Sequence, residues 1–232
     1  MDNRQIGDLL DGVTTAHLAD ACLAQNVQLR VAPPQIRPLI TPVRVAGRAL
    51  PVVHHGSVDV FFDAMTRADD GDILVIDNGD RRDEACIGDL TVAEAVAFGI
   101  GAFVLWGMHR DTAELIEIGL PIFSSGFHPV GPRGVRAATQ TACKIGDFEV
   151  TRDDVVIADA DGILFVPLAN IKAVAEAARN IANTERLQRA RLAEGITLHQ
   201  QFEWETYAAA RAKNPKYTLR EHLRSLNRAI EV

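Results

Sequence analysis

Two short apolar runs, each followed by a helix-forming segment, constrain the fold of this chain more than any other feature. Asp72-Ile73-Leu74-Val75-Ile76-Asp77 follows Gly71 and ends at Asn78-Gly79, as a buried strand does. Leu90 to Ala97 is rich in helix formers, carries apolar residues at Leu90, Ala93, Ala95, Val96 and Ala97, and stops near Gly99 and Gly101. Ala102 to Leu105 reads as a second strand, and Asp111 to Ile118 as a second helix closed by Gly119. Strand, helix, strand, helix predicts parallel pairing through a crossover, and hence an α/β fold. In such sheets ligands collect outside the carboxyl ends of the strands. The turns at Gly88-Asp89 and Arg110-Asp111 are both expected at that edge.

That placement brings charged groups together. Asp89 starts one helix, Arg110 and Asp111 follow a strand, and Glu114 lies one helical turn beyond Asp111. The free N–H groups of Asp89, Leu90 and Thr91, just after Gly88, would form an anion site at a helix N-terminus, suited to a carboxylate. Asp111 can give an oxygen to Mg²⁺ or Mn²⁺, hard ions that keep several waters when protein ligands are few. Arg110 can donate a fork of hydrogen bonds to a carbonyl or enolate oxygen. Asp89 can orient or deprotonate a bound water. Together these groups suit a metal-stabilised enolate formed from a 2-oxo acid. The bland alternative is that Asp89 is only a helix cap and Arg110-Asp111 only a surface ion pair.

Taken in order, Gly88-Asp89-Leu90, Gly99 and Gly107-x-x-Arg110-Asp111-x-x-Glu114 resemble the motif of the RraA-like family. The likeness extends to Thr14-Thr15-Ala16-His17-Leu18-Ala19-Asp20-Ala21, Ala46-Gly47-Arg48-Ala49, Gly71-Asp72-Ile73-Leu74-Val75 and Asp159 to Pro167, and covers about residues 14 to 185. The resemblance implies a β/β/α sandwich of the swivelling-domain type, here with a C-terminal helical extension. The family includes 4-hydroxy-4-methyl-2-oxoglutarate aldolases, divalent-metal class II pyruvate aldolases that also decarboxylate oxaloacetate. It also includes the regulator of ribonuclease activity A, which binds ribonuclease E, so a non-catalytic regulator is the competing expectation. A third is a lyase acting on another 2-oxo or sugar acid.

Carried over residue by residue, Asp111 matches the metal ligand and Arg110 the residue that stabilises the enolate. Asp89 matches the acid that holds metal-bound water, and the main chain from Gly88 through Leu90 to Thr91 matches the loop that grips the pyruvate carboxylate. Glu185 falls near a glutamate that the aldolases supply from a neighbouring subunit, with Glu176 and Glu194 as alternatives. The family implies trimers, sometimes paired into hexamers, with the active site near a subunit interface. Trp106, His109 and Asn78 depart from the residues many relatives carry, and they bear on the second half of the substrate.

Composition agrees with a soluble enzyme. The chain has 232 residues, 47% of them hydrophobic, enough for one large domain or a domain with an appendage. A formal net charge of -7 argues against nucleic acid as a partner, because phosphate binding needs a basic face. No apolar run approaches a membrane span, and Met1-Asp2-Asn3-Arg4-Gln5 lacks the pattern of a signal peptide, so a cytoplasmic protein is expected. Cys22, Cys86 and Cys143 are scattered and odd in number and read as reduced, buried thiols.

Along the chain, helix is expected to about Gln25, then an irregular stretch through Pro33, Pro34 and Pro38, a strand from Pro42 to Val53, and a helix from Val58 to Arg67. Pro121 to Val166 reads as mostly β, with a hairpin across Asp161-Gly162. From Ala169, Ile171, Val174, Ala175, Ala178, Ile181 and Ala182 recur at helical spacing. A catalytic domain over 1–190 and a helical extension over 191–232 are expected, the latter with Phe202, Trp204 and Tyr207, a break at Asn214-Pro215, and a last helix bearing Leu219, Leu223, Leu226 and Ile230. That tail packs on a neighbouring copy or on its own domain.

Several conspicuous residues read blandly. His54 and His55 are adjacent in a strand and point to opposite faces. Ser124-Ser125-Gly126 and His128 lack the elbow of a hydrolase and border the pocket or an interface. Gly131-Pro132-Arg133-Gly134 lacks the phosphate-loop lysine and reads as a turn, with Arg133 or Arg136 available to a carboxylate. His17 and His109 read as packed or surface histidines rather than catalytic bases, His109 being the better candidate of the two because it adjoins Arg110.

Overall fold

The structure, a computed structural model, describes residues 1–134 and 141–226; the expectations for Arg136 and Ile230 lie outside them. From the N-terminus run α1 (Asn3–Leu9), α2 (Thr15–Ala24), β1 (Arg30–Val31), β2 (Arg37–Pro38), β3 (Arg44–Val53), α3 (Asp59–Met65), β4 (Ile73–Asp77) and β5 (Ala85–Ile87). Next come α4 (Asp89–Ala97), β6 (Ala102–Trp106), β7 (Met108–His109), α5 (Thr112–Ile118), β8 (Ile122–Ser124), β9 (Ala142–Ile145) and β10 (Phe148–Thr151). The chain closes with β11 (Asp154–Asp159), β12 (Ile163–Pro167), α6 (Ile171–Ala193), α7 (Leu198–Gln201), α8 (Trp204–Lys213) and α9 (Leu219–Ser225).

Among the described residues the main sheet has the order β1-β12-β11-β3-β4-β6-β8-β2. Its β3-β4-β6-β8 half is parallel, with Val75 opposite Val104 and Leu105 opposite Ser124. The β1-β12-β11-β3 half is antiparallel, and the hairpin foreseen at Asp161-Gly162 pairs Ala158 with Ile163. The parallel strands are continuous apolar runs because both of their faces are covered. On one face Leu50, Leu74, Ile76, Phe103 and Leu105 pack with Phe61 and Met65 of α3, Val92 and Ala95 of α4 and Leu115 of α5. On the other, Ala49, Val75, Val104 and Phe165 pack with Cys143, Ile145 and Val150 of the β9-β10 hairpin. The result is the expected β/β/α sandwich.

The foot of β4 is fixed by a buried acid. Asp72 is fully buried and accepts from Asn3 Nδ2 at 2.8 Å, from the Asp69 amide at 2.8 Å and from Arg152. Such a carboxylate is tolerated only because each oxygen is paired.

The chain separates into two units, one of residues 1–11 with 29–171 and the other of residues 12–28 with 172–232. The sheet lies in the first unit, and the boundary expected at residue 190 falls within the last turn of α6. The second unit is helical. Thr14, Thr197 and Thr218 each start a helix with a capping box, an arrangement worth about 1 kcal/mol per cap. Its C-terminal part gathers Trp204, Tyr207, Tyr217 and His222 into an aromatic cluster, with Tyr207 and Leu223 buried.

Candidate active site

The charged cluster forms at the carboxyl ends of a pair of strands, though not the expected pair. Gly88 follows β5 and Arg110 follows β7, and these two short strands make their own parallel sheet, with Ala85 opposite Met108. The Arg110 amide donates to Ile87 O at 3.1 Å and continues that pairing. Sequence reasoning missed both strands. β5 is three residues long behind a charged stretch, and β7 is two residues long, too short for any periodicity to register.

Asp111 sits between β7 and α5 as the N-cap of α5, with φ 59° and ψ 42°. A left-handed conformation is unusual for a residue other than glycine, though Asp tolerates it better than most. Its side chain does not cap α5. It reaches instead to the start of α4, where Oδ2 accepts the Asp89 amide at 3.3 Å and lies 3.2 Å from Arg110 Nε. The Arg110 and Asp111 side chains are 44% and 32% exposed, so their pairing is worth at most about 1 kcal/mol of stability. Fold stability therefore gives no reason for a strained backbone to carry this pair.

Gly88, the N-cap of α4, is extended at φ -146° and would suit any residue by that measure. Space is the constraint. A Cβ there would collide with Asp111 Oδ2 and meet Arg110 Nε at 3.1 Å. Gly131 is similarly pressed against the Arg110 guanidinium, where a Cβ would meet Cζ at 3.2 Å. The Gly131 to Gly134 turn thus backs the arginine, and Gly134 N donates to Gly56 O at 2.8 Å, tying it to the loop after β3.

Between these walls lies a cleft of about 60 Å³ lined by Val58, Gly88, Asp89, Leu90, Thr91, Arg110 and Pro132, among others. A wider pocket of about 600 Å³, bordered by Val31, Pro33, Arg37, Asp147 and Asp161, shares no residue with it. Chemistry, not size, identifies the site. The cleft holds an acid, a guanidinium and a helix N-terminus, the groups that bind and polarise a small anion. Of the three amides expected to be free, that of Asp89 is held by Asp111 and that of Leu90 donates to Asp89 Oδ1 at 2.8 Å. Carboxylates thus already lie where an anion is expected. Glu114 is exposed on the first turn of α5.

The donor set bears on which cation would fit. Among the described residues no group of three or more His, Cys, Asp or Glu could hold a metal ion. Asp111 and Asp89 offer hard carboxylate oxygens at a partly exposed position. That matches an ion which keeps most of its water, such as Mg²⁺ or Mn²⁺, and does not match zinc, which takes three or four protein ligands, usually His or Cys.

His109 is buried beside the cluster. Its Nδ1 lies 2.8 Å from Ser124 Oγ and its Nε2 3.2 Å from Thr112 Oγ1, and burial lowers its pKa. Ser124, expected to border the pocket, serves as its support. His54 is buried and stacks on Phe61, with Nδ1 2.8 Å from Asn78 Oδ1, while His55 is exposed; both follow the end of β3 rather than lying in a strand as expected, so the loop and not strand alternation sends them apart. Burial holds the His54 pKa below its ordinary value. Among the described residues His54 Nε2 and Asn78 Nδ2 have no hydrogen-bond partner. Trp106 is half-buried at the end of β6, packed on the core under the β9-β10 hairpin.

Glu185 lies on α6 in the helical unit, where its Oε2 is 3.1 Å from His17 Nε2 of α2. Glu176 is exposed on the same helix, and Glu194 follows its end. Arg133 is exposed in its turn.

Comparison with known proteins bears on the family and the fold. A family model described as "RraA-like: Aldolase/RraA" matches residues 15–165. A Halalkalibacterium halodurans protein named "Putative 4-hydroxy-4-methyl-2-oxoglutarate aldolase" is 28% identical over 163 residues, 70% of each chain. Protein DlpA of Legionella pneumophila is 27% identical over 130 residues, 55% of this chain but only 21% of DlpA, so the match spans about a fifth of that protein's length. The crystal structure of Streptomyces coelicolor RraAS2, described as an unusual member of the RNase ES inhibitor RraA protein family, superposes with a TM-score of 0.74 at 21% identity, covering 82% of this chain and 100% of that one. That likeness is one of fold.

Proposed function

Because the chain belongs to the RraA-like family, we propose that it is a divalent-metal-dependent carbon–carbon lyase, releasing pyruvate from 4-hydroxy-2-oxo acids and decarboxylating oxaloacetate. The observation that carries this reading is the meeting of the Asp111 carboxylate, the Arg110 guanidinium and the α4 N-terminus around Gly88. Asp111 would hold the cation, with Asp89 nearby. When bound, the cation supplies Lewis acidity toward the oxygens of a 2-oxo acid.

The protein's own groups do the rest. The main chain from Gly88 to Thr91 receives the substrate carboxylate at the positive end of α4. Arg110 donates to the carbonyl oxygen and stabilises the negative charge that gathers there as the carbon–carbon bond breaks. In retro-aldol cleavage the proton of the 4-hydroxyl passes to Asp89, directly or through water, and returns to the methylene carbon to complete pyruvate. Decarboxylation releases CO₂ in place of the aldehyde or ketone fragment and needs only the enolate half. Glu185 would act on a neighbouring protomer's cleft within a homotrimer or hexamer.

The test is pyruvate release by the full-length protein from oxaloacetate and from 4-hydroxy-4-methyl-2-oxoglutarate, with Mg²⁺ or Mn²⁺ and with chelator. Chelation is expected to abolish release, and Arg110→Ala to lower kcat by about 100-fold or more. A rate indifferent to chelator or to Arg110→Ala rejects the lyase. Capture of ribonuclease E without pyruvate release installs the regulator in its place.

A further inference from the structure

The Arg110-Asp111 pair is bracketed by one buried side chain. His109 precedes it and Thr112 follows it, and the His109 ring links the two flanks by meeting Thr112 Oγ1 at 3.2 Å. The other ring nitrogen is anchored on the main sheet, 2.8 Å from Ser124 Oγ at the end of β8. The backbone is pinned at the same point: His109 N donates to Gly126 O at 3.0 Å, and His128 N donates to His109 O at 2.8 Å. Ser124 Oγ in turn donates to Gly126 O at 3.3 Å. That direction leaves Ser124 Oγ to accept from Nδ1–H and Nε2 to accept from the Thr112 hydroxyl, one donor and one acceptor, the full capacity of a neutral imidazole. A ring only 3% exposed and bonded at both ends is rigid. Asp111, between His109 and Thr112, holds a left-handed conformation.

We infer that His109 is a positioning residue: by bridging Ser124 and Thr112 it holds the turn that presents the Asp111 carboxylate in the cleft beside Arg110, and so sets the affinity of that carboxylate for a divalent cation. This deepens the lyase reading and rests on it. His109 touches neither substrate nor cation in this scheme. Its contribution is orientation, the part that outer partners of a metal ligand play.

The experiment measures Mn²⁺ binding to the full-length protein by the loss of the free-ion electron paramagnetic resonance signal, with no turnover involved, beside a thermal melt. His109→Leu is expected to weaken Mn²⁺ binding by about 10- to 100-fold in protein that remains folded, and Thr112→Val, which removes only the helix-side bond, to weaken it in the same direction. His109→Gln, which can still donate and accept, recovers part of the loss. In turnover the variants need more Mn²⁺ for half-activation, with kcat at saturating metal less affected. A folded His109→Leu or Thr112→Val protein that binds Mn²⁺ as tightly as the unaltered chain overturns the inference and leaves the lyase standing. Unaltered protein that binds no Mn²⁺ overturns both. Should His109→Leu fail to fold, Thr112→Val alone decides.

Discussion

At the scale of single residues, the structure separates groups that serve the cleft from groups that serve the fold. Arg110 and Asp111 are partly exposed and contribute little to stability, whereas His54 is buried and its charge state bears on folding. Burial is the largest influence on His54 and keeps the folded ring neutral, outweighing the Asn78 hydrogen bond, which acts the other way. Its folded pKa therefore lies below the ordinary 6.5. Above that value folded and unfolded chains are both neutral here, and the stability contribution is complete. As the pH falls, the unfolded chain takes up a proton that the folded one refuses, and stability is lost. The melting temperature should drop as the pH falls below about 6.5, and the drop should be shallower in His54→Gln, which cannot titrate there. Equal slopes in the two proteins would show that His54 is not the group responsible.

At the scale of elements, the site depends on how closely two turns approach. Gly88 needs no special dihedral angle, so Gly88→Ala should cost less than about 1 kcal/mol of helix-capping stability. The added methyl nevertheless occupies the space of Asp111 Oδ2 and Arg110 Nε. Pyruvate release should fall by at least about 10-fold with the melting temperature nearly unchanged; normal activity in Gly88→Ala would mean that the two turns need not touch. This closeness also marks the limit of what could be read from the chain. The β4-α4-β6-α5 order, the β11-β12 hairpin and the adjacency of Asp89, Arg110 and Asp111 follow from periodicity, glycine stops and spacing. The β5-β7 sheet does not, since strands of two and three residues are held by backbone partners distant in sequence. Nor does the role of His109, whose partners Ser124 and Thr112 lie on separate elements. No local pattern shows that a histidine will bond across them.

At the scale of the whole molecule, the sandwich keeps its thiols out of reach. Cys86 and Cys143 lie in the two opposite cores of the sheet, both buried, and burial pushes both thiols well above the usual range. A protonated, enclosed thiol is a poor nucleophile. A disulfide reagent should therefore label them only as fast as the sandwich opens, and immediately once urea unfolds it. Rapid labelling of either thiol in native protein would show an opening that this packing does not allow.

The Asp111 carboxylate on the Asp89 amide has one more effect. The first amide at the tip of α4 already has a tenant. A guest anion gains the Asp89 amide only by displacing the aspartate, so its net hold there is the margin between two carboxylates and not the full strength of one. A divalent ion that draws Asp111 to itself would vacate the berth, which makes metal and anion natural allies at this tip.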